Sequence, residues 1–244
     1  MKYLILVLIT SVSVPLFAET IEFSDDELAT ESVLPVFDRK GVVKNRVVTL
    51  KKRYELGAGL GLNMTEAIYD NKIFNLSGAY HFDEVHGVNL SATFMTPGLS
   101  ANGKALKNGE IAKSNLEFHA DKAPSPEYSL FANYQATAYY GKISLSKEFV
   151  MNLSLYGLLG LGTVSFGDSN SIGLDVGFGQ KLYFTDNLAL RFDVRLLAYQ
   201  GPDPTDRKGA IKTIQSSDPD LKSSDFETTT YYHTHRTLGL VYLL

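Results

Sequence analysis

The sequence predicts an all-β chain, an eight-stranded antiparallel transmembrane β-barrel with a short N-terminal periplasmic segment. Three observations predict this fold class. The chain begins with an export signal, its apolar residues alternate with polar ones in runs of about ten, and the run Leu238 to Leu244 is itself such a strand. Strand side chains point to opposite faces in turn, so each run has one apolar face. A closed ring of such strands leaves no edge unpaired.

The first 18 residues have the features of a cleaved signal peptide. Lys2 precedes an apolar run, and Val14 and Ala18 occupy the outer places of an A-x-A-like cleavage site. The run is shorter than the ~20 apolar residues that a spanning helix needs. We therefore expect a signal peptide (1–18), an N-terminal periplasmic segment (19–52) and a barrel (53–244) in the outer membrane of a Gram-negative bacterium.

Eight strand candidates follow residue 52. Their approximate bounds are 53–62, 72–82, 87–96, a run within 128–145 whose register stays open, 152–166, 171–184, 188–199 and 228–244. Their connections are alternately short and long, which is the pattern of periplasmic turns and outer loops. A soluble sandwich or a lipocalin-like barrel shows the same alternation of side chains, and only the last strand and the loop lengths favour the membrane barrel.

The remaining segments are harder to assign. Ser24 to Glu27 fits a capping box and predicts a short helix as far as Val33, before a strand over Val42–Leu50. This N-terminal segment has three candidate positions: inside the lumen, beneath the barrel, or as an extension of the first strand. The connections 97–127 and 201–227 lack apolar periodicity and contain proline breaks, so we expect mobile surface loops without a core.

The composition excludes several classes of protein. Without Lys2 the chain has 22 basic and 27 acidic residues, a net charge of −5, which argues against a nucleic-acid partner. There is no cysteine, so disulfides do not stabilise the fold. There is no tryptophan, and the 14 tyrosines would have to form the aromatic belts of a membrane barrel. We assign no cofactor and no metal.

The strongest candidate site is a set of charged residues on the inward face of the predicted barrel. These residues are Glu55, Asp175, Lys181, Arg191, Asp193 and Arg195, with Arg236 as a further candidate. An eight-stranded barrel is barely wide enough for its own side chains. Because isolated buried charge costs several kcal/mol, we expect these side chains to pair in a lumenal charge network. A conducting or ligand-binding lumen is the alternative.

His233 and His235 are the best candidates for catalysis. Their two-residue spacing places both on one strand face, a geometry that metal ligands also use. Neither a third ligand nor a serine or aspartate partner can be assigned to them. We therefore expect no enzyme, with interfacial or lumenal histidines as the simpler interpretation and a lipid hydrolase or protease as the alternative.

Several motifs resemble one family. They are Asp26-Glu27-Leu28-Ala29-x-Glu31-Ser32-Val33-x-Pro35-Val36-Phe37-Asp38, Val43-Lys44-Asn45-Arg46-Val47, Tyr80-His81-Phe82, Tyr140-Gly141-Lys142 and Leu190-Arg191-Phe192-Asp193-Val194-Arg195. They are similar to landmarks of small outer-membrane β-barrel proteins from gliding and predatory bacteria and, more broadly, of OmpA/OmpX-type barrels. The long connection 97–127 and Leu244, where a terminal Phe is usual, depart from that pattern.

The resemblance implies fold and location but transfers no catalytic residue. It also implies that Leu240, Tyr242 and Leu244 form an assembly signal for the barrel-assembly machinery. The expected partners are this machinery, outer-membrane lipid and an unidentified surface or periplasmic partner. The expected function is a non-enzymatic, structural or surface-loop interaction role in the cell envelope, with a narrow pore as the alternative.

Overall fold

The computed structural model describes residues 46–64, 68–110, 118–144, 150–209, 214–216, 218–219 and 221–244. This part of the chain is mostly strand. The eight strands are β1 (Tyr54–Asn63), β2 (Lys72–His81), β3 (His86–Thr96), β4 (Tyr128–Ser144), β5 (Val150–Ser165), β6 (Asn170–Tyr183), β7 (Leu188–Arg207) and β8 (Phe226–Leu243). A short helix, α1 (Ala101–Lys107), lies between β3 and β4, and 3₁₀ turns cover Ala120–Lys122 and Ser223–Asp225.

Each strand pairs antiparallel with the next, and β8 pairs with β1, so the single sheet closes into a ring. The expectation of eight antiparallel strands is confirmed. From Tyr54 the pairs lead round the ring through Tyr80, Val88, Tyr134, Leu159, Val176, Leu196 and Thr234 to Met64. The path returns to β1 ten residues further along. This stagger corresponds to a strand tilt of about 40°.

The two ends of the ring differ. The short connections β2–β3 and β6–β7 lie at one end, which we call the turn end, and the connections β1–β2, β3–β4, β5–β6 and β7–β8 lie at the opposite loop end. Along the strands, apolar side chains point outward and polar ones inward. Leu60 is 69% exposed, for example, whereas Glu55 on the same strand is 2% exposed. No helix of the described residues is long and apolar enough to cross a bilayer.

The register of β4, which the sequence left open, depends on a bulge. Thr137 pairs with Tyr156 and Tyr139 pairs with Leu155, so Ala138 has no partner on β5. Beyond the bulge the alternation changes phase, and Tyr139 is 55% exposed while Tyr140 is buried. A bulge adds one residue to one strand of a pair, which breaks a two-residue period.

The segment before β1 closes the turn end of the ring. Val48 and Leu50 are buried there in a turn-end cluster, which also contains Tyr140, Tyr183, Ala189 and Leu243. The Val48 N–H donates to the Tyr140 hydroxyl (3.1 Å) and the Leu50 N–H to Glu84 Oε2 (2.9 Å). Side chains thus satisfy backbone donors that a strand would pair with its neighbour. Residues 46–50 form no strand, so the strand expected over Val42–Leu50 is wrong there, and its first part lies outside the described residues. The signal peptide, the capping box and the helix lie outside the described residues.

The connection 201–227 is shorter than expected, because β7 and β8 continue into it as a paired ribbon. Pro202 lies within β7 and pairs with Thr228. The pairing of β7 with β6 ends at Tyr199, so one side of β7 is a free edge from there on. Proline is tolerated on such an edge, where no N–H is needed. The expectation that the prolines end regular structure here is therefore wrong.

The expectation that the long connections have no core is also wrong. A surface cluster at the loop end joins Phe118, Ala123, Ile214, Leu221 and Phe226. In the 97–127 connection, Ser100 caps α1 by accepting a hydrogen bond from the Gly103 N–H (3.1 Å). A Cβ on Gly103 would lie 2.3 Å from the Ile68 carbonyl oxygen, so only glycine fits there. Apolar residues of two connections, each too few to form a core alone, pack together.

Candidate functional site

The interior of the ring contains an ionic centre near the turn end. Glu55 on β1 accepts a hydrogen bond from Lys181 Nζ of β6 at 2.5 Å. His81 Nε2 of β2 lies 3.0 Å from the same Glu55 oxygen. The Lys181 ammonium also lies 4.6 Å from the centre of the Tyr156 ring, within cation–π range. These residues are all buried, so the lysine and the carboxylate neutralise each other out of contact with solvent.

A second centre surrounds Arg191. Its Nε lies 3.0 Å from Asp193 Oδ2, while its Nη atoms donate to Ser77 Oγ at 2.5 Å and Asn75 Oδ1 at 2.9 Å. The Tyr156 hydroxyl donates to the other oxygen of Asp193. Arginine has five N–H donors in a planar fork, and this fork connects strands β2 and β7 across the interior.

A third pair lies closer to the loop end. Arg195 Nη1 donates to Ser91 Oγ at 2.8 Å and lies 3.3 Å from Asp175 Oδ2. On the neighbouring strand β5, Gly160 pairs with Asp175, and on its other side Gly160 pairs with Asn133 of β4. The six residues of the charge network are thus three acids and three bases, and the structure brings each acid to one base. Their charges balance within the interior.

Glycines make room for this network. A Cβ on Gly57 would lie 2.8 Å from Arg191 Nη1, and a Cβ on Gly179 would lie 2.3 Å from Asp193 Oδ1. Any larger residue at either position would displace an ion-pairing group. These in-strand glycines therefore serve close approach of side chains inside a narrow ring.

Apolar side chains cover the polar interior at both ends. At the turn end the cover is the turn-end cluster around Val48 and Leu50. At the loop end it is a loop-end cluster of Phe131, Val164, Phe166, Leu197 and Tyr199, against which Tyr231 packs. The charged centres therefore lie between two apolar covers.

The two histidines point into the ring beneath the loop-end cluster, and each is 2% exposed. His233 Nδ1 lies 2.7 Å from the Tyr199 hydroxyl, and the two rings meet edge to face. In the part of the chain that the structure describes, no group of three or more His, Cys, Asp or Glu residues could hold a metal ion. A catalytic histidine needs a route for its substrate, and neither side chain reaches the surface.

Arg236 is placed differently from the sequence expectation. It is exposed on the outer face of β8, between Val194 of β7 and Leu62 of β1, and it takes no part in the interior network. From Thr228 to Tyr242 the pairing of β8 with β7 has no register shift, so Arg236 keeps the phase of the outward leucines that follow it.

The proposed assembly-signal residues also lie on the outer face. Leu240, Tyr242 and Leu244 are all about half exposed. Leu240 pairs with Ala58 and Tyr242 with Leu56, so this part of β8 forms the seam that closes the ring.

The sequence did not single out several residues of the network. These are Asn75, Ser77 and His81 of β2, Ser91 of β3 and Tyr156 of β5. The sequence did contain a signal for them, because the two-residue alternation puts each of these residues on the inward face of its strand. Which of these polar residues meets which charge depends on the register between strands far apart in the sequence.

Comparison with known proteins adds no relative. No protein-family model matches the chain, and no curated protein matches it significantly.

Proposed function

We propose that this protein is a non-conducting outer-membrane β-barrel with a structural or surface-loop interaction role and no catalytic activity. One observation carries the proposal. The ring is apolar outside and polar inside, with a charge-balanced interior covered by apolar clusters at both ends. Such a wall suits a bilayer, and such an interior holds the strands together without a channel.

The dimensions of the outer face support a membrane location. The ten residues of β1, tilted by about 40°, rise about 25 Å, the height of the apolar band of outer-membrane barrels. Aromatic residues lie towards both ends of this band. Tyr54 contacts Tyr80 near the turn end (ring centroids 4.9 Å apart), and Phe74 contacts Phe94 near the loop end (6.4 Å). Aromatic belts of this kind occupy membrane interfaces.

The soluble alternatives fit less well. A lipocalin-like barrel or a sandwich would bury its apolar face, whereas here leucines such as Leu60, Leu90 and Leu161 are more than 60% exposed. Soluble monomers rarely expose contiguous apolar patches above a few hundred Å². An apolar surface around the whole ring would make a soluble protein aggregate.

The loop end is the surface on which we expect partner contacts. An ion pair lies within each of two connections, with Lys107 Nζ 2.7 Å from Asp121 in β3–β4 and Arg207 Nη1 2.8 Å from Asp218 in β7–β8. Together with the surface cluster, these contacts hold parts of two connections in one arrangement. A preformed surface binds a partner at lower entropic cost than mobile loops do. The resemblance to small outer-membrane barrels from gliding and predatory bacteria supports the same role.

Three measurements on one refolded preparation test the proposal. The protein should insert into phosphatidylcholine vesicles, migrate differently in gels before and after boiling, and give no single-channel current in planar bilayers. A protein that stays monomeric in water without detergent would refute the membrane location. A steady current from the folded form would favour the narrow pore instead.

A cellular experiment tests the interaction role. A protease cleavage site inserted in the 208–222 connection should be cut when protease is added to intact cells. The same site inserted in the β6–β7 turn at residues 184–187 should be protected. Cleavage at the turn site alone would reverse the orientation and contradict the proposed display of the loops.

A further inference from the structure

At its described and fully paired strand positions, the outer wall of the ring carries two formal charges, and both are cations. Among the described strand positions that point outward and are paired on both sides, only Lys72 of β2 and Arg236 of β8 are Asp, Glu, Lys or Arg. Both side chains are exposed. Two cations without an outward acid are unexpected on a face that is otherwise apolar, because each weakens its fit to hydrocarbon.

The strand register brings these two cations into one row. Arg236 pairs with Leu62, and Leu62 pairs with Lys72, so a single apolar residue separates them on the outer face. Neighbouring strands lie about 4.8 Å apart, which places the two Cα atoms about 10 Å from each other. Long side chains at this spacing can direct both charged groups to one ligand that lies against the outer face at Leu62.

The row lies near the loop end of the wall. Leu62 is the ninth of the ten residues of β1, which starts at the turn end. Lys and Arg side chains in a bilayer extend along apolar surface until the charged group reaches the headgroups. From this row that distance is short, so both groups can reach headgroup level in the leaflet on the loop side.

No group in the described part of the chain neutralises the pair. Among the described residues neither cation has an ion pair or a hydrogen bond to another side chain. In contrast, each of the three interior bases, Lys181, Arg191 and Arg195, lies against an acid. Among the described residues, the charges of the interior network are therefore balanced, whereas these two are not.

We propose that Arg236 and Lys72 bind the phosphate group of an anionic membrane lipid. The arginine fork binds phosphate through two parallel hydrogen bonds, and the lysine adds a second positive charge. The apolar side chains beside the row, Leu60, Val194 and Leu238, suit the acyl chains of the same molecule. A free phosphate ion would meet only two donors here and no cavity, so we commit to a lipid. This inference rests on the proposed membrane location.

The test measures lipid binding to the full-length mature protein refolded in neutral detergent. Native mass spectrometry would follow titration with dioleoyl phosphatidic acid and, in parallel, with dioleoylglycerol, which lacks the phosphate. We expect the wild-type protein to bind phosphatidic acid in preference to dioleoylglycerol. Arg236→Gln and Lys72→Gln should each weaken phosphatidic acid binding by about tenfold or more, the usual effect of losing a hydrogen bond to a charged group.

Lys104→Gln is the matched control. Lys104 is exposed on α1 at the same end of the molecule but not on the wall, so its loss should leave lipid binding unchanged. Equal binding of the two lipids, unchanged affinity in both wall variants, or displacement by inorganic phosphate at comparable concentration would each overturn the inference. Vesicle insertion of every variant is measured separately. Normal insertion without phosphate preference refutes only the lipid site, whereas failure of the wild-type protein to insert refutes the proposed function as well.

Discussion

Removing the carboxylate of Asp193 tests the interior network most directly. Asp193→Ala takes away the anion that lies 3.0 Å from Arg191 Nε and the oxygen that accepts from the Tyr156 hydroxyl. Arg191 would keep two neutral acceptors, Ser77 and Asn75, but would lose its counter-charge. The two side chains of the pair are 4% and 3% exposed, so solvent screens little of the effect.

We therefore expect Asp193→Ala to lower the free energy of unfolding by about 3–5 kcal/mol. This is the cost of removing one member of a buried ion pair and leaving the other charge uncompensated. The assay is reversible urea unfolding of protein inserted in vesicles, followed by tyrosine fluorescence. Asp186→Ala, in the exposed β6–β7 turn, is the control and should change stability by less than about 0.5 kcal/mol. A loss below about 1 kcal/mol for Asp193→Ala would refute the network as a source of stability.

A second variant separates charge from packing. Adding Arg191→Leu to Asp193→Ala removes the uncompensated cation, so the double variant should be more stable than the sum of the two single losses by about 0.5–3 kcal/mol. Neither variant should produce a single-channel current, because both apolar end clusters remain in place. Strict additivity would mean that the two side chains do not interact.

Three further predictions concern the wall, the seam and the loop end. Phe192→Arg puts a charge at mid-height on the outer face and should destabilise the folded protein by about 2–4 kcal/mol; unchanged heat-modifiable migration would contradict this. Deleting residues 238–244 removes most of the β8–β1 pairing and should abolish outer-membrane yield, so a normal yield would rule out the seam as an assembly requirement. The pKa of Asp218 is lowered from 3.8 by a hydrogen bond from the Gln215 N–H and by the Arg207 guanidinium. The turn should therefore keep this stabilisation above pH 3.8 and lose it as pH falls through the lowered pKa, so the Gln215 amide resonance should titrate with a midpoint below 3.8; a midpoint at or above 3.8 would refute the contact.

Period-two alternation made much of the fold predictable. Along β7 the outward Leu190 and Phe192 alternate with the inward Arg191 and Asp193, and each of the eight strands was located to within a few residues at its turn end. In an unbroken strand, side-chain direction is a local property of the backbone. The same rule places Arg236 outside with Leu238, so its candidacy for the inward charge network was wrong because strand phase decides the direction of its side chain.

Pairings between distant residues could not be read from the sequence. Glu55 meets Lys181 across 126 positions, and that contact depends on the stagger of the whole ring rather than on either strand. The position of the bulge at Ala138 likewise depends on how β4 pairs with the neighbouring strand β5. A shift of one residue in any pairing would turn a strand's inward residues outward.

The sequence by itself therefore determined the number of strands and which residues share a face of each strand, because these follow from local alternation. That the apolar face is the outer one and the charged face the inner one was decided by the tertiary structure. Only the tertiary structure decided which acid meets which base, that residues 46–50 close the turn end, and that two connections share a small core. It also decided that Lys72 and Arg236 lie in one row. Each of these depends on ring closure, which brings together residues that no local pattern connects.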